Sequence, residues 1–63
     1  MQIYLKQIRE QKELSIRALG EKSGVSKSNI SQIEAGTLNP TIKAMCKLAK
    51  ALDVPVGELF SCD

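Results

Sequence analysis

Apolar residues recur along this chain at helical spacing in four stretches, and the short polar segments between them carry residues that start and stop helices. The first stretch, residues 2–12, places Leu5, Ile8 and Arg9 on one face, with Ile3 and Tyr4 at its start. The second, residues 16–23, turns Ile16, Leu19, Gly20 and Ser23 inward. Ser15 stands where it can cap that helix, and Leu14 where it can pack on Leu19 and fix the entry of the chain. In the third, residues 27–35 after a cap at Ser26, Ile30, Ile33 and Glu34 share one face and Ser28, Ser31, Gln32 and Ala35 the other. The fourth, residues 42–52 after a cap at Thr41, directs Ile42, Met45, Leu48, Ala49 and Leu52 inward and Lys43, Lys47 and Lys50 outward. A one-turn helix over 56–60, started by Pro55, closes the chain. The pattern predicts an all-α fold of five short helices in a single domain, residues 1–63.

Four positions refine the picture. Gly24, two residues before Ser26, suits a left-handed helix end and so predicts a tight turn between the second and third helices. Gly20 lies inside a helix, where glycine costs about 0.5 to 1 kcal/mol relative to alanine, and predicts a close crossing of those two helices. Arg9 and Glu34 each sit on an otherwise apolar face. One buried charge alone is costly, so pairing is the simplest reconciliation, with independent snorkelling to water as the alternative.

Composition narrows the function. A chain of 63 residues has room for one small core, and with one Phe, one Tyr and no Trp that core is aliphatic. Apolar residues at 43% and charged residues at 25% are ordinary for a globular domain and argue against disorder. Charge is lopsided: residues 1–50 hold nine Lys and Arg against four acids, a net of +5, whereas residues 51–63 hold three acids and no base. Such a body is suited to a polyanion. There is no apolar run long enough to span a membrane and no signal-peptide pattern, so a cytoplasmic protein is expected. Cys46 and Cys62 lack CxxC spacing and no histidine is present, which leaves no metal site; free thiols are expected, and Met45 and Cys46 read as packing. Without a histidine, a Gly-Lys-Ser/Thr phosphate loop or paired carboxylates in a cleft, no enzyme, cofactor or small-molecule ligand is expected.

The outer face of the third helix is unusual for a solvated one. Glu and Lys are better helix formers, so a row of Ser and Gln there marks a surface chosen for contact. At this point the chain resembles the Cro/CI-type (lambda-repressor-like, XRE) helix-turn-helix regulators. The resemblance is carried by Leu19 and Gly20, Gly24 and Val25, and Ile30 and Ile33, and it continues through Glu34-Ala35-Gly36, Pro40, Leu48-Ala49, Leu52 and Val54, so that it covers about the whole chain.

The resemblance implies a compact five-helix lambda-repressor-like DNA-binding domain with the helix-turn-helix at helices 2 and 3, and an Arg9–Glu34 bridge between the first and third helices. In that arrangement the third helix enters the major groove of double-stranded DNA, and Lys27, Ser28 and Gln32, with Ser31 beside them, reach base edges. Gln32 can pair bidentately with adenine; Lys27 can donate to guanine and is equally placed for phosphate. Phosphate contacts are expected from Ser15 and the backbone near Ile16 and Arg17, from Asn29, and from Thr37, Asn39 and Lys43. The chain departs from its relatives at Ile16, where many carry a phosphate-holding Gln; Arg17 is the available substitute. The cluster Val54, Pro55, Val56, Leu59 and Phe60 exceeds what so small a core needs and is expected to supply a homodimer contact. The function implied is a sequence-specific transcriptional regulator of repressor type, acting as a homodimer on an inverted-repeat operator. The alternatives are a protein-interaction module that keeps the fold without DNA binding, and the DNA-binding piece of a larger regulator.

Overall fold

The computed structural model describes residues 2–62 and contains four α-helices: α1 (Leu5–Gln11), α2 (Ile16–Ser23), α3 (Lys27–Ala35) and α4 (Ile42–Leu52). Hydroxyl side chains fix where three of them begin. Ser15 Oγ accepts from the Ala18 N–H at 3.0 Å, Ser26 Oγ from Asn29 at 3.1 Å and Thr41 Oγ1 from Ala44 at 3.0 Å. Each cap satisfies a backbone donor that the first helical turn leaves without a partner. α2 and α3 stop at Gly24 and Gly36, whose φ of 77° and 81° lie in the left-handed region. Glycine adopts that region without the strain of a Cβ. Two other residues share the conformation, Glu13 in the turn between α1 and α2 and Asp53 at the end of α4.

The ends of the chain differ from the expectation of an all-α fold. α1 starts at Leu5 rather than at residue 2, because Gln2–Ile3 forms a strand, β1, antiparallel to β2 (Phe60–Ser61), with Gln2 opposite Ser61 and Ile3 opposite Phe60. The Tyr4 N–H adds a 2.8 Å bond to the Leu59 carbonyl. β-Branched Ile3 and aromatic Phe60 favour extended backbone, and the pairing satisfies polar groups that two separate helix ends would leave to water. The fifth expected helix is correspondingly short, a single 3-10 turn at Val56–Glu58. The fold is therefore mostly helical, with four α-helices and a two-stranded ribbon that ties its ends together.

One cluster of buried side chains joins these elements: Leu5 from α1, Leu19 from α2, Val25 from the turn, Ile30 and Ile33 from α3, Met45, Leu48, Ala49 and Leu52 from α4, and Leu59 after the 3-10 turn. Leu14 and Ile16 pack against it from the start of α2. α2 lies against both α3 and α4. A Cβ at Gly20 would come within 3.1 Å of the Val25 carbonyl and 3.7 Å of the Lys27 N, so at this glycine α2 closely approaches both the turn and the first residue of α3. Ile42 does not join the core and is 83% exposed, standing a full turn before Met45 and past the edge of the cluster. Leu59, expected on a dimer surface, is fully buried instead, because the 3-10 turn brings it inward onto the cluster.

Candidate nucleic-acid interface

The turn between α2 and α3 is held from both sides. Gly24 reverses the chain, the Ser23 hydroxyl accepts the Val25 N–H at 3.1 Å, and Val25 is buried in the core. The far end of α3 is anchored to α1: Arg9 Nε donates to Glu34 Oε2 at 2.7 Å and Nη2 to Oε1 at 3.2 Å, while Nη1 donates to the Leu14 carbonyl at 2.8 Å. The two side chains are only 10% and 7% exposed. This two-pronged bond to Glu34 raises the pKa of Arg9 further above its already high ordinary value, against the opposing effect of burial, so the guanidinium stays charged at any working pH. α3 is thus pinned at its start by the turn and at its end by an ion pair, which fixes the direction of its outer face.

That face carries Lys27, Ser28, Ser31 and Gln32, all exposed. Gln32 Nε2 donates to Ser28 Oγ at 3.1 Å, one helical turn back. Residues 24–26 form a ridge between two depressions at the start of the helix. One, of about 390 Å³, is lined by Arg17, Gly20, Glu21 and Lys27 as well as the ridge; the other, of about 250 Å³, is lined by Asn29, Thr41, Lys43, Ala44 and Lys47. Exposed cations therefore flank the start of α3 on both sides. Arg17 lies 3.8 Å from Glu21, but both are more than 70% exposed, and an ion pair so wet is weak enough to open for a phosphate.

The structure sorts the expected phosphate contacts. Ser15 caps α2 with its hydroxyl oxygen, and Ile16 is half-buried against the core, so near Ile16 only backbone is offered. Asn29 and Lys43 come together in one depression. Thr37 and Asn39 do not line it. The Thr37 hydroxyl donates to the Gln32 carbonyl at 3.3 Å, beside its own N–H at 3.0 Å, so it closes the C-terminus of α3. Sequence reasoning missed Lys47, which it placed with the solvated lysines of α4; its signal is the four-residue spacing from Lys43, which puts both on one side of the helix.

A second surface is apolar. Pro40, Ile42, Met45, Cys46, Val56 and Phe60 line a groove of about 370 Å³. Of the residues expected at a dimer contact, Val56 and Phe60 border it, Val54 packs on the core, Pro55 is exposed outside it, and Leu59 is buried. Cys46 and Cys62 are free and exposed, and among the described residues no group of three His, Cys, Asp or Glu could hold a metal ion. No helix is long and apolar enough to cross a membrane, among the same residues.

Comparison with known proteins agrees with this architecture. Residues 5–59 match the helix-turn-helix family model. The HTH-type transcriptional regulator SutR of Escherichia coli (strain K12) is 40% identical over 57 residues, which are 90% of this chain and 32% of SutR. The restriction-modification controller protein C.AhdI from Aeromonas hydrophila superimposes with a TM-score of 0.86 at 38% identity, over 89% of this chain and 85% of that one. The N-terminal DNA binding domain of SinR from Bacillus subtilis does so with a TM-score of 0.85 at 41% identity, over 90% and 84%. The chain spans about a third of the length of SutR, whereas it covers most of the two solved domains. These relatives are regulators and not enzymes, and with the turn, the caps and the buried Arg9–Glu34 pair in place, the chain belongs to the Cro/CI-type helix-turn-helix family.

Proposed function

We propose that the chain binds double-stranded DNA sequence-specifically through α3 and acts as a transcriptional regulator of repressor type. The observation that carries this reading is the exposed polar row of α3 with Arg17 and Lys27 on one side of its start and Lys43 and Lys47 on the other. A major groove about 12 Å wide admits one helix, and cations on both flanks of an inserted helix meet the phosphates of the two groove walls. Lys27, Ser28, Ser31 and Gln32 then face base edges. Ser15, the backbone at Ile16, Arg17, Asn29, Lys43 and Lys47 face the backbone of the duplex, with Thr37 and Asn39 at the edge of the footprint. The SinR fragment of matching fold is itself described as a DNA binding domain. The role belongs in the compartment that holds the DNA, the bacterial cytoplasm.

One domain covers half an operator, and the second half-site calls for a second copy of the chain. The apolar groove of Pro40, Ile42, Met45, Cys46, Val56 and Phe60 is the surface for that homodimer, with Ile42 at 83% exposure its most prominent side chain. Association through it is two-fold, and recognition helices about 34 Å apart read an inverted repeat.

Fluorescence anisotropy with random-sequence duplex at a series of salt concentrations tests the reading. Affinity falls steeply with salt, and Arg17→Gln or Lys47→Gln each flattens the slope by about one, the release expected per phosphate neutralised. Absent or salt-independent binding returns the protein-interaction module. In sedimentation, Ile42→Glu leaves a folded monomer where the parent chain dimerises.

A further inference from the structure

Three adjoining depressions carry lysines round one side of the domain. The first is the one of about 250 Å³ at the start of α3, which holds Lys43 and Lys47. Lys47 also borders a second, of about 450 Å³, with Lys50 from the last turn of α4 and Lys22 from the last turn of α2. Lys22 in turn borders a third, of about 200 Å³, with Lys12 from the end of α1. All five lysines are exposed, and none makes a hydrogen bond or ion pair through its side chain with another described residue. Among the described residues, Asp53 is the one acid that lines any of the three depressions. α4 itself holds three lysines and no acid, and Lys43, Lys47 and Lys50 stand at spacings of four and three, where like charges repel and oppose the helix. The helix C-terminus favours Lys50, but Lys43 and Lys47 lie away from that end. An anionic partner turns this repulsion into attraction. The apolar groove proposed for a second copy takes Ile42, Met45 and Cys46 from α4, about a third of a turn around the helix from the lysines, so a dimer leaves the band uncovered.

We propose that Lys50, Lys22 and Lys12 extend the DNA track beyond α3 and bind phosphates of the duplex that flanks each half-site. Their band runs without a break from Lys43 and Lys47, the cations assigned to one groove wall, and that continuity favours duplex phosphates over an acidic protein. The band also curves. Lys50 stands about 10 Å along α4 from Lys43, and Lys12 lies past it at the end of α1. A duplex that follows the band bends toward the protein, and the added phosphate contacts offset the cost of the deformation. The flank is then chosen by how easily it bends, at positions where no side chain touches a base. This proposal rests on the reading that α3 enters the major groove, and it adds the course of the duplex outside the half-site.

The test uses the whole chain and a site that it selects from a random pool of duplexes. One duplex is trimmed to that site, and a second carries about 10 further base pairs, one helical turn, at each end. The parent binds the long duplex more tightly, and its salt slope is steeper there by about 0.9 for each added phosphate contact, or close to three per chain. A variant combining Lys12→Gln, Lys22→Gln and Lys50→Gln returns the long duplex to the slope of the trimmed one and changes binding of the trimmed one little. All three side chains are exposed, so the variant folds, as far-ultraviolet circular dichroism checks. A second readout is energy transfer between dyes at the two ends of the long duplex, which rises with the parent and not with the variant. Equal slopes on the two duplexes, a variant that flattens both slopes alike, or energy transfer that is the same for parent and variant overturns the proposal and gives the band to an acidic protein, while the DNA-binding reading stands. If the parent selects no site, both are overturned.

Discussion

Replacing Glu34 with alanine would leave the Arg9 guanidinium nine-tenths buried between α1 and α3, with Nε and Nη2 stripped of their acceptors and only Nη1 still bonded, to the Leu14 carbonyl. Breaking a buried pair by deleting one partner costs about 3 to 5 kcal/mol. Because 10% of the Arg9 side chain still meets water, which can solvate part of the orphaned charge, the lower end applies. The expectation for Glu34→Ala is thus a loss of about 3 kcal/mol. A domain of this length has roughly 3 to 9 kcal/mol in total, so the variant is marginal or largely unfolded. Glu34→Gln keeps an acceptor for one donor and loses the charge, and falls between parent and alanine variant. The double variant Arg9→Met, Glu34→Leu leaves no charge buried and forfeits chiefly the Leu14 carbonyl's donor, about 1 kcal/mol, so it is more stable than Glu34→Ala alone. Urea unfolding followed by far-ultraviolet circular dichroism at neutral pH measures all four, and repeating it at high salt shows little change in the differences, since a pair this dry is poorly screened. A Glu34→Ala loss under about 0.5 kcal/mol, or a double variant no more stable than Glu34→Ala, would refute the argument.

Three further outcomes follow from the same packing. Gly24→Ala forces a Cβ into a left-handed residue and lowers stability by about 1 to 2 kcal/mol, read from the urea midpoint; an unchanged midpoint would mean that the turn relaxes. Glu13→Gly acts in the opposite direction, because Glu13 already has a φ of 57°. Relief of that strain less the entropy glycine adds to the unfolded chain leaves a gain of about 0.5 kcal/mol in the same assay. Leu59→Ala opens the core and costs about 2 to 5 kcal/mol while the sedimentation coefficient of the folded fraction is unchanged; selective loss of dimer would return Leu59 to the interface.

Much of this fold can be read from local chemistry. Ser15, Ser26 and Thr41 stand directly before apolar periodicity and each caps its helix, since a cap depends only on the residue and the three that follow. Arg9 and Glu34 are conspicuous for the same reason that they meet: each interrupts an apolar face, where a charge left alone is costly. The ends were not legible, because whether Gln2 and Ile3 continue a helix or pair as a strand is decided by Phe60 and Ser61, at the opposite end of the chain. Nor was the fate of Ile42 and Leu59. Periodicity assigns Ile42 to the inner face, but only the packed shape tells that the core stops at Met45, and only the 3-10 turn tells that Leu59 points into it. The exposed polar row on α3 was legible as residue types, whereas the Ser28 to Gln32 bond and the placing of Lys47 beside Asn29 depend on side-chain packing.

The ribbon formed by Gln2–Ile3 and Phe60–Ser61 has a mechanical consequence. Its strands run in opposite directions with both chain ends emerging at the same edge, so tension applied to the two ends loads its rungs one after another, as in a zipper, and never all at once. It also closes a loop that contains all four helices, and loop closure of that span is deferred in folding. Under a pulling force this ribbon is the first element to part, and on relaxation the last to re-form, while the helices beneath it still hold.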